Sequence, residues 1–531
     1  MKNKTWLITF LTITLSMVII VCSITIYVDP YMHYHKPLTD KFYYNINNQR
    51  SQNNGIVKHF EYDAIITGTS MTENFYASEV DRIFECKSIK VPYSGGSFKE
   101  INDNLEIALS INPNIKYIIR GLDLSRVNFD KNHMRTDLGK FPTYLYDNNP
   151  FNDVNYLLNR NVLYNRIIKM VNDALSGKPT GITSFDRYSN WMSRKKFGNK
   201  TVLKSKLIEG IGYKETEQVK VLNDLFKDRI RGNIEQNVTS LAEKYPNTTF
   251  YYFIPPYSAA YWGYQMEAGN MLRQIEMIEY VLSLIVPHKN IHMFCWNRFD
   301  LFDDLNNYGD LTHYGDWINS WIIAEMKRES GRLTEDNYKD YINELKEHYM
   351  NFDFNSLFEQ IDYEADYYIS GLLNKEILGT DPMSLDGSFF EQTEIKNANI
   401  VMNQFNDTDG IECYGVMSRL VDSKESIDKS MFDGDFCGIK FTIDVSDYRC
   451  LVFYGKKLSN NGQYTVSIFD NVGNLLNKIS AKYTDLDDNW HQYAISLAGI
   501  YGEVTIVMNG GYTDQSGSIN SRYIFSNIIL Y

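Results

Sequence analysis

The sequence predicts a mixed α/β chain. An N-terminal membrane helix precedes a three-layer parallel sheet with flanking helices, and an all-β sandwich closes the chain. Three observations carry this. Residues 5–28, TWLITFLTITLSMVIIVCSITIYV, hold no charged side chain. From about 61 to 330, short apolar runs alternate with helix-type patterns. Past 385 the helical patterns stop, and short strand-like runs are punctuated by Asn, Gly and Asp.

The uncharged run is 24 residues long, and about 20 suffice to cross a bilayer. Lys2 and Lys4 precede it and Asp29 follows it, which leaves the N-terminus in the cytoplasm and the bulk of the chain outside. No A-x-A-like cleavage site follows the run. An uncleaved anchor over 1–28 is therefore favoured over a removed signal peptide, and either exports the rest. Residues 29–60 are rich in Asn, Gln and Tyr and read as a tether. Within 61–330, DAIITG is followed by SEVDRIF, SIKVPYSGG by FKEINDNLEIALSI, and IKYIIRGLDLS comes next. An insertion over 127–210 has no clear pattern. Helices over roughly 214–245 and 263–286 then precede TTFYYFIPPYS and NIHMFCW. Residues 331–384, with YKDYINELKEHYMNFDF, read as a charged helical connector. The sandwich, 385–531, is read from GIKFTIDV, CLVFYGK, YTVSIFD, HQYAISL and EVTIVMN.

A formal charge of -13 argues against a nucleic-acid binder, which would carry a basic face. The 40 tyrosines fit either sugar-binding surfaces or a compositional bias. Trp490 has the same two readings, a glycan platform or a core side chain. The six cysteines include no C-x-x-C pair, which disfavours a zinc ribbon or a thioredoxin-type site. Cys22 lies in the membrane run, and outside the membrane disulfides are permitted, not required. No metal site and no cofactor is expected.

The stretch YDAIITGTSMTENF, 62–75, places Ser70 just past an apolar run. Ser70 is either a helix-capping turn residue or a nucleophile displayed at a strand end. A nucleophile needs a base within hydrogen-bond reach and a third group that fixes the base's tautomer. Of nine histidines, His313 stands apart in NYGDLTHYGDWIN, with Asp310 three residues before it. On a turn, that spacing projects both side chains to one side. The serine is not in a G-x-S-x-G elbow, because Thr72 occupies the second glycine position.

The order of parts resembles the SGNH (GDSL-like) hydrolase superfamily over roughly residues 60–330. Ser70 follows the first strand in GTSMTENF, Gly95 and Gly96 follow the second in PYSGGSFKE, RGLDLS occupies 120–125, and Asp310 and His313 close the domain. More narrowly, with FIPPYS at 253–258, the chain resembles the membrane-anchored bacterial branch that includes the teichoic acid D-alanyl-transfer and alginate O-acetylation proteins. In the latter an SGNH-like domain can carry a carbohydrate-binding sandwich.

The resemblance implies a catalytic unit of Ser70, His313 and Asp310, with oxyanion donors from the backbone of Ser70 and of Gly95 or Gly96. The family's third block commonly supplies an Asn donor; here Asp123 stands near that place, and a carboxylate cannot donate. Arg120 is a candidate to complete the site. The implied activity is acyl transfer or ester hydrolysis on a cell-surface polysaccharide, with acetyl ahead of D-alanyl. A membrane-bound O-acyltransferase is the implied partner. The alternative is a non-catalytic surface scaffold that holds glycan or protein.

Overall fold

The structure, a computed structural model, describes residues 2–191, 197–210, 212–218 and 222–359. Beyond these it describes 383–385, 393–402, 409–416 and, with gaps of a few residues, 436–512 and 520–530.

Its first long element is the apolar helix Lys2–Val28, which exposes nearly all its side chains. Its last turn is different. Thr25 and Val28 are buried, as are Asp29 and Met32 just beyond. The Asp29 carboxylate accepts the backbone N–H groups of His33, Tyr34 and His35 and the Tyr156 hydroxyl.

The central sheet has six strands: β1 Ala64–Thr67, β2 Ser88–Lys90, β3 Tyr117–Gly121, β4 Thr249–Phe253, β5 Ile291–Phe294 and β6 Arg332–Leu333. Their spatial order is β2-β1-β3-β4-β5-β6, parallel except for β6. β1 is buried along its whole length, as a strand covered on both faces must be. The crossover helix Ala77–Phe84 lies on one face, where it meets Asp316–Lys327. Phe98–Ile111, Asp224–Lys244 and Met271–Ile285 cover the other face. Ser97 and Glu100 start Phe98–Ile111 with a reciprocal capping box.

Four expectations are corrected. Residues 29–60 are not a tether: Gln49–His59 is a helix packed on Phe98–Ile111. It buries Gln52, Asn53 and Asn54, with Gln52 donating to Pro30 and Asn45 carbonyls and Asn53 to that of Pro92. The span expected as one helix over 214–245 starts only at Asp224 and contains a π-helical turn, Glu235–Thr239. The span 263–286 is two helices, Ala259–Glu267 and Met271–Ile285. The connector also belongs to the α/β domain, since β6 extends its sheet and Tyr338–Asn351 packs on Met271–Ile285. Most of the connector beyond 359 lies outside the described residues.

The C-terminal part is an antiparallel sandwich of a five-stranded and a six-stranded sheet. The first runs Glu394–Lys396, Gly438–Asp444, Glu503–Tyr512, Gln463–Phe469, Leu475–Lys482. The second runs Ala398–Met402, Asp409–Val416, Asn520–Leu530, Cys450–Lys457, His491–Ser496, with Met383–Leu385 also on Asn520–Leu530. Its interior is aromatic and aliphatic, with Phe453, Tyr464, Tyr493 and Phe525 in mutual ring contact. Cys450, Val452 and Ala494 face outward from that interior and join the core of the α/β domain, so the sandwich is docked on it. Trp490 is half-buried at the start of His491–Ser496.

Candidate active site

β1 ends at Thr67, and the chain turns sharply. Gly68 has φ +146, and a Cβ there would sit 2.7 Å from Thr72 Cγ2, so the turn requires glycine. Thr69 caps the short 3-10 helix Ser70–Thr72, which lifts Ser70 to the carboxyl edge of the sheet. Such edges are where open α/β sheets bind ligands.

The Ser70 hydroxyl donates to His313 Nε2 at 2.8 Å. On the other side of the ring, Nδ1 lies 2.9 Å from both oxygens of Asp310. Asp310 Oδ1 also accepts the backbone N–H of Thr312 at 3.0 Å and of His313 at 2.9 Å. One carboxylate therefore shapes the turn and fixes the imidazole, with the Nδ1 proton facing the acid and Nε2 left to accept from serine. The arrangement is open: the His313 side chain is 27% exposed and that of Asp310 40%.

The FIPPYS loop braces both halves of the unit. Ser258 donates from its backbone and hydroxyl to the Leu311 carbonyl. Tyr308, just before Asp310, donates to the Pro256 carbonyl. Tyr257 donates to Asp123 Oδ1 at 2.6 Å. Asp123 also accepts from the Thr69 hydroxyl at 3.1 Å and from both Ser125 donors. Asp123 is thus an anchor for the nucleophile turn, spending its lone pairs on the chain itself.

Arg120 is not part of the site. It lies on the same face of β3 as Ile118. There it is fully buried, donates to the carbonyls of Asn237 and Phe98, and sits over the rings of Phe98 and Tyr252. Two other arginines flank the glycine loop. A Cβ on Gly95, whose φ is +57, would lie 2.4 Å from Arg135 Nη1 and 3.3 Å from Arg126 Nη2. Arg135 donates to the Ser94 carbonyl and pairs with Asp137. Arg126 stacks over Phe129. Gly96 packs on Tyr93, where a Cβ would come within 2.6 Å of the Tyr93 Cβ.

Sequence reasoning missed four supporting residues. Gln49 accepts from Ser94 N–H and donates to Glu73, joining the glycine loop to the nucleophile turn. Glu73 is buried close to His313, and burial holds its carboxyl above the usual range against the pull of Gln49, Lys90 and His313. Lys90 donates to the carbonyls of Glu73 and Phe75, and burial draws it down to about 7 against the attraction of Asp186 and Glu73. Trp191 meets the His313 ring edge-on, centroids 5.5 Å apart, and its backbone N–H donates to Asn74 Oδ1. Glu73 stands within the TENF stretch but carries no signal of its role; Gln49, Lys90 and Trp191 are distant in sequence. Among the described residues no cluster of His, Cys, Asp and Glu is arranged for a metal.

No family model matches the chain, and no curated protein does. Among solved structures, the chain is similar to a family 11 carbohydrate-binding module of a cellulosomal cellulase of Clostridium thermocellum, at 12% identity and TM-score 0.17, over 28% of this chain and 85% of that one. It is similar to a putative platelet activating factor from Streptococcus pneumonia at 11% identity and TM-score 0.27, over 55% of this chain and 91% of that one. A carbohydrate-binding module from Clostridium stercorarium in complex with cellobiose gives 14% identity and TM-score 0.17, over 27% of this chain and 90% of that one. At these scores the likenesses carry no argument about activity or ligand.

Proposed function

We propose that the protein is a membrane-anchored, extracytoplasmic serine acyltransferase or acyl esterase of SGNH type, acting on O-acyl groups of a cell-surface polysaccharide. The observation that carries this reading is the aligned Ser70–His313–Asp310 series, at 2.8 and 2.9 Å. Ser70 Oγ attacks the ester carbonyl while His313 Nε2 takes its proton. The imidazolium, held by Asp310, then protonates the departing alkoxide oxygen, leaving acyl-Ser70. In the second half His313 takes a proton from water or a sugar hydroxyl, whose oxygen attacks the acyl carbon, and returns it to Ser70.

The developing oxyanion is assigned to the backbone N–H groups of Ser70 and Gly95; that of Gly96, the other candidate from the sequence, is spent on the Tyr93 carbonyl at 2.7 Å. With Asp123 committed to Thr69, Tyr257 and Ser125, that position offers no Asn-type donor, and such a donor is worth about 2.7–4 kcal/mol elsewhere. That favours slow turnover and transfer over rapid hydrolysis.

The test is labelling of the full-length protein by a fluorophosphonate probe. Labelling that disappears in Ser70→Ala supports the reading. A folded wild-type protein that takes no label returns it to the scaffold alternative. A second reading, D-alanyl transfer to teichoic acid, is favoured by Arg126 beside Gly95, a cation suited to an anionic acceptor. Deacylation of acyl-Ser70 by polyglycerol phosphate faster than by a neutral glycan would select it.

A further inference from the structure

The insertion 127–210, which has no clear sequence pattern, carries an unusual surface. Phe151 is 89% exposed and Leu175 82%. Val154, Leu158, Tyr164 and Ile168 are exposed as well. Val154 and Leu158 are four residues apart, as are Tyr164 and Ile168, and Leu175 follows Ile168 by two turns. Ile168–Leu175 has no fully buried side chain: Met170, Val171 and Ala174 pack half-buried on the core, while Ile168 and Leu175 face out. Scattered apolar residues on a soluble surface need no explanation, but a run of large ones in one segment does.

Its position supplies one. This segment packs on the exit end of the apolar helix. Thr25 donates to the Leu157 carbonyl at 3.0 Å, one turn below the last helical residue, Val28. The Tyr156 hydroxyl reaches Asp29, and Arg166 sits over the Tyr31 ring. The helix carries an aromatic residue near each end, Trp6 and Tyr27. They are separated by about 32 Å at 1.5 Å per residue, close to the hydrocarbon thickness of about 30 Å. With Tyr27 at the outer interface, Leu157, which meets Thr25, lies at headgroup level, and the exposed apolar side chains of 151–175 flank it in sequence. Basic side chains interleave the apolar ones: Arg160 sits over Tyr164, and Lys169 pairs with Asp173. Long basic chains in such a setting reach outward to phosphates while their stems stay in the acyl boundary.

We infer that residues 151–175 form a second membrane contact, seated in the outer leaflet interface beside the anchor. The inference rests on the reading of Lys2–Val28 as a retained membrane anchor. The same insertion carries Ser189 to Gln49 and Trp191 to His313. A segment seated in the interface therefore sets the height and tilt of the site above the bilayer.

The test uses full-length protein in phosphatidylcholine–phosphatidylglycerol vesicles, with Cys22 and Cys86 replaced by serine. Single nitroxide labels are placed at F151C, L175C, I19C in the anchor and V472C in the sandwich, where Val472 is 73% exposed. Collision rates with oxygen and with a water-soluble nickel chelate give immersion depth. The expected result is an oxygen-to-chelate ratio several-fold higher at 151 and 175 than at 472, approaching that at 19. Ratios at 151 and 175 equal to that at 472, with 19 still in lipid, overturn the second contact and leave the anchor standing. A water-like ratio at 19 overturns both.

Discussion

Replacing Asp310 by Asn tests the site sharply, because the turn dictates how the new amide must sit. Oδ1 of Asp310 accepts two backbone N–H groups, from Thr312 and His313, while Oδ2 lies against the imidazole. An Asn keeps those turn bonds only by placing its oxygen at the Oδ1 position. Its NH2 then points at His313 Nδ1. A donor there obliges Nδ1 to accept, which moves the ring proton to Nε2, opposite the Ser70 hydroxyl. The ring can no longer take the serine proton. Flipping the amide would give up two backbone bonds at about 1 kcal/mol each. Neither route restores a carboxylate beneath the imidazolium. The expected loss in acylation rate is about 10³- to 10⁴-fold, the scale this exchange has in serine proteases. The assay is the burst of 4-nitrophenol from an activated acetyl ester, alongside thermal unfolding. Tm should stay within about 2 °C of wild type, since the turn bonds survive. Asp310→Ala, which removes the turn acceptor too, should lower both. A loss below about tenfold in a folded Asp310→Asn protein would refute the orienting role, because a charge-assisted bond alone is worth more than that.

Ser70→Ala and His313→Ala should each abolish the burst, and the double variant should be no worse than either, because members of one catalytic unit are non-additive; additive losses measured in the same assay would break the unit apart. Glu73→Gln puts a second amide against Gln49, which donates to Glu73 and accepts from the glycine loop, so kcat should fall several-fold with the protein still folded, an unchanged kcat being the contrary result. Arg120→Met should leave kcat/KM of the folded protein within about threefold, as expected for a side chain outside the reaction; a loss of two orders of magnitude would return Arg120 to the oxyanion site. Gly55→Ala should lower Tm, because its Cβ would sit 2.2 Å from the Tyr31 carbonyl oxygen and 2.5 Å from that of Met32, overpacking that costs about 1–3 kcal/mol.

Much of the fold was legible because its signals are local. Ala64–Thr67, Tyr117–Gly121 and Ile291–Phe294 are apolar runs of strand length, and FKEINDNLEIALSI carries both its cap and its periodicity. The helix Gln49–His59 was not legible, because its buried face carries three amide side chains and only Ile56 and Val57 as apolar ones. Gln52 and Asn53 are inside because carbonyls of distant residues meet them, and a hydrophobic period cannot register that. Arg120 misled for a related reason. A cation at the end of a strand looks like a site residue, yet carbonyls and two rings satisfy it within the core. The D-x-x-H pair was readable from its spacing. Its distance to Ser70, and the support from Gln49, Lys90 and Trp191, depend on contacts between segments far apart in the chain.

The energetics of the series bear on whether it is chemistry or scaffold. The His313–Asp310 pair is exposed enough that water screens it, and such pairs contribute about 0–1 kcal/mol to stability. The Ser70 hydrogen bond to His313 is partly buried and adds about 1 kcal/mol. Neither holds the fold together. The groups that position them are costlier. A lysine is buried under the nucleophile turn, a glutamate is buried beside the imidazole, and an aspartate takes four hydrogen bonds at the foot of Thr69. Buried charges of this kind carry desolvation penalties that well-packed apolar side chains would avoid. A scaffold gains nothing from fixing a half-buried serine and histidine to within hydrogen-bond distance by such means. An acyl-transfer site does, because proton transfer from Ser70 requires that its base be in place before the substrate arrives.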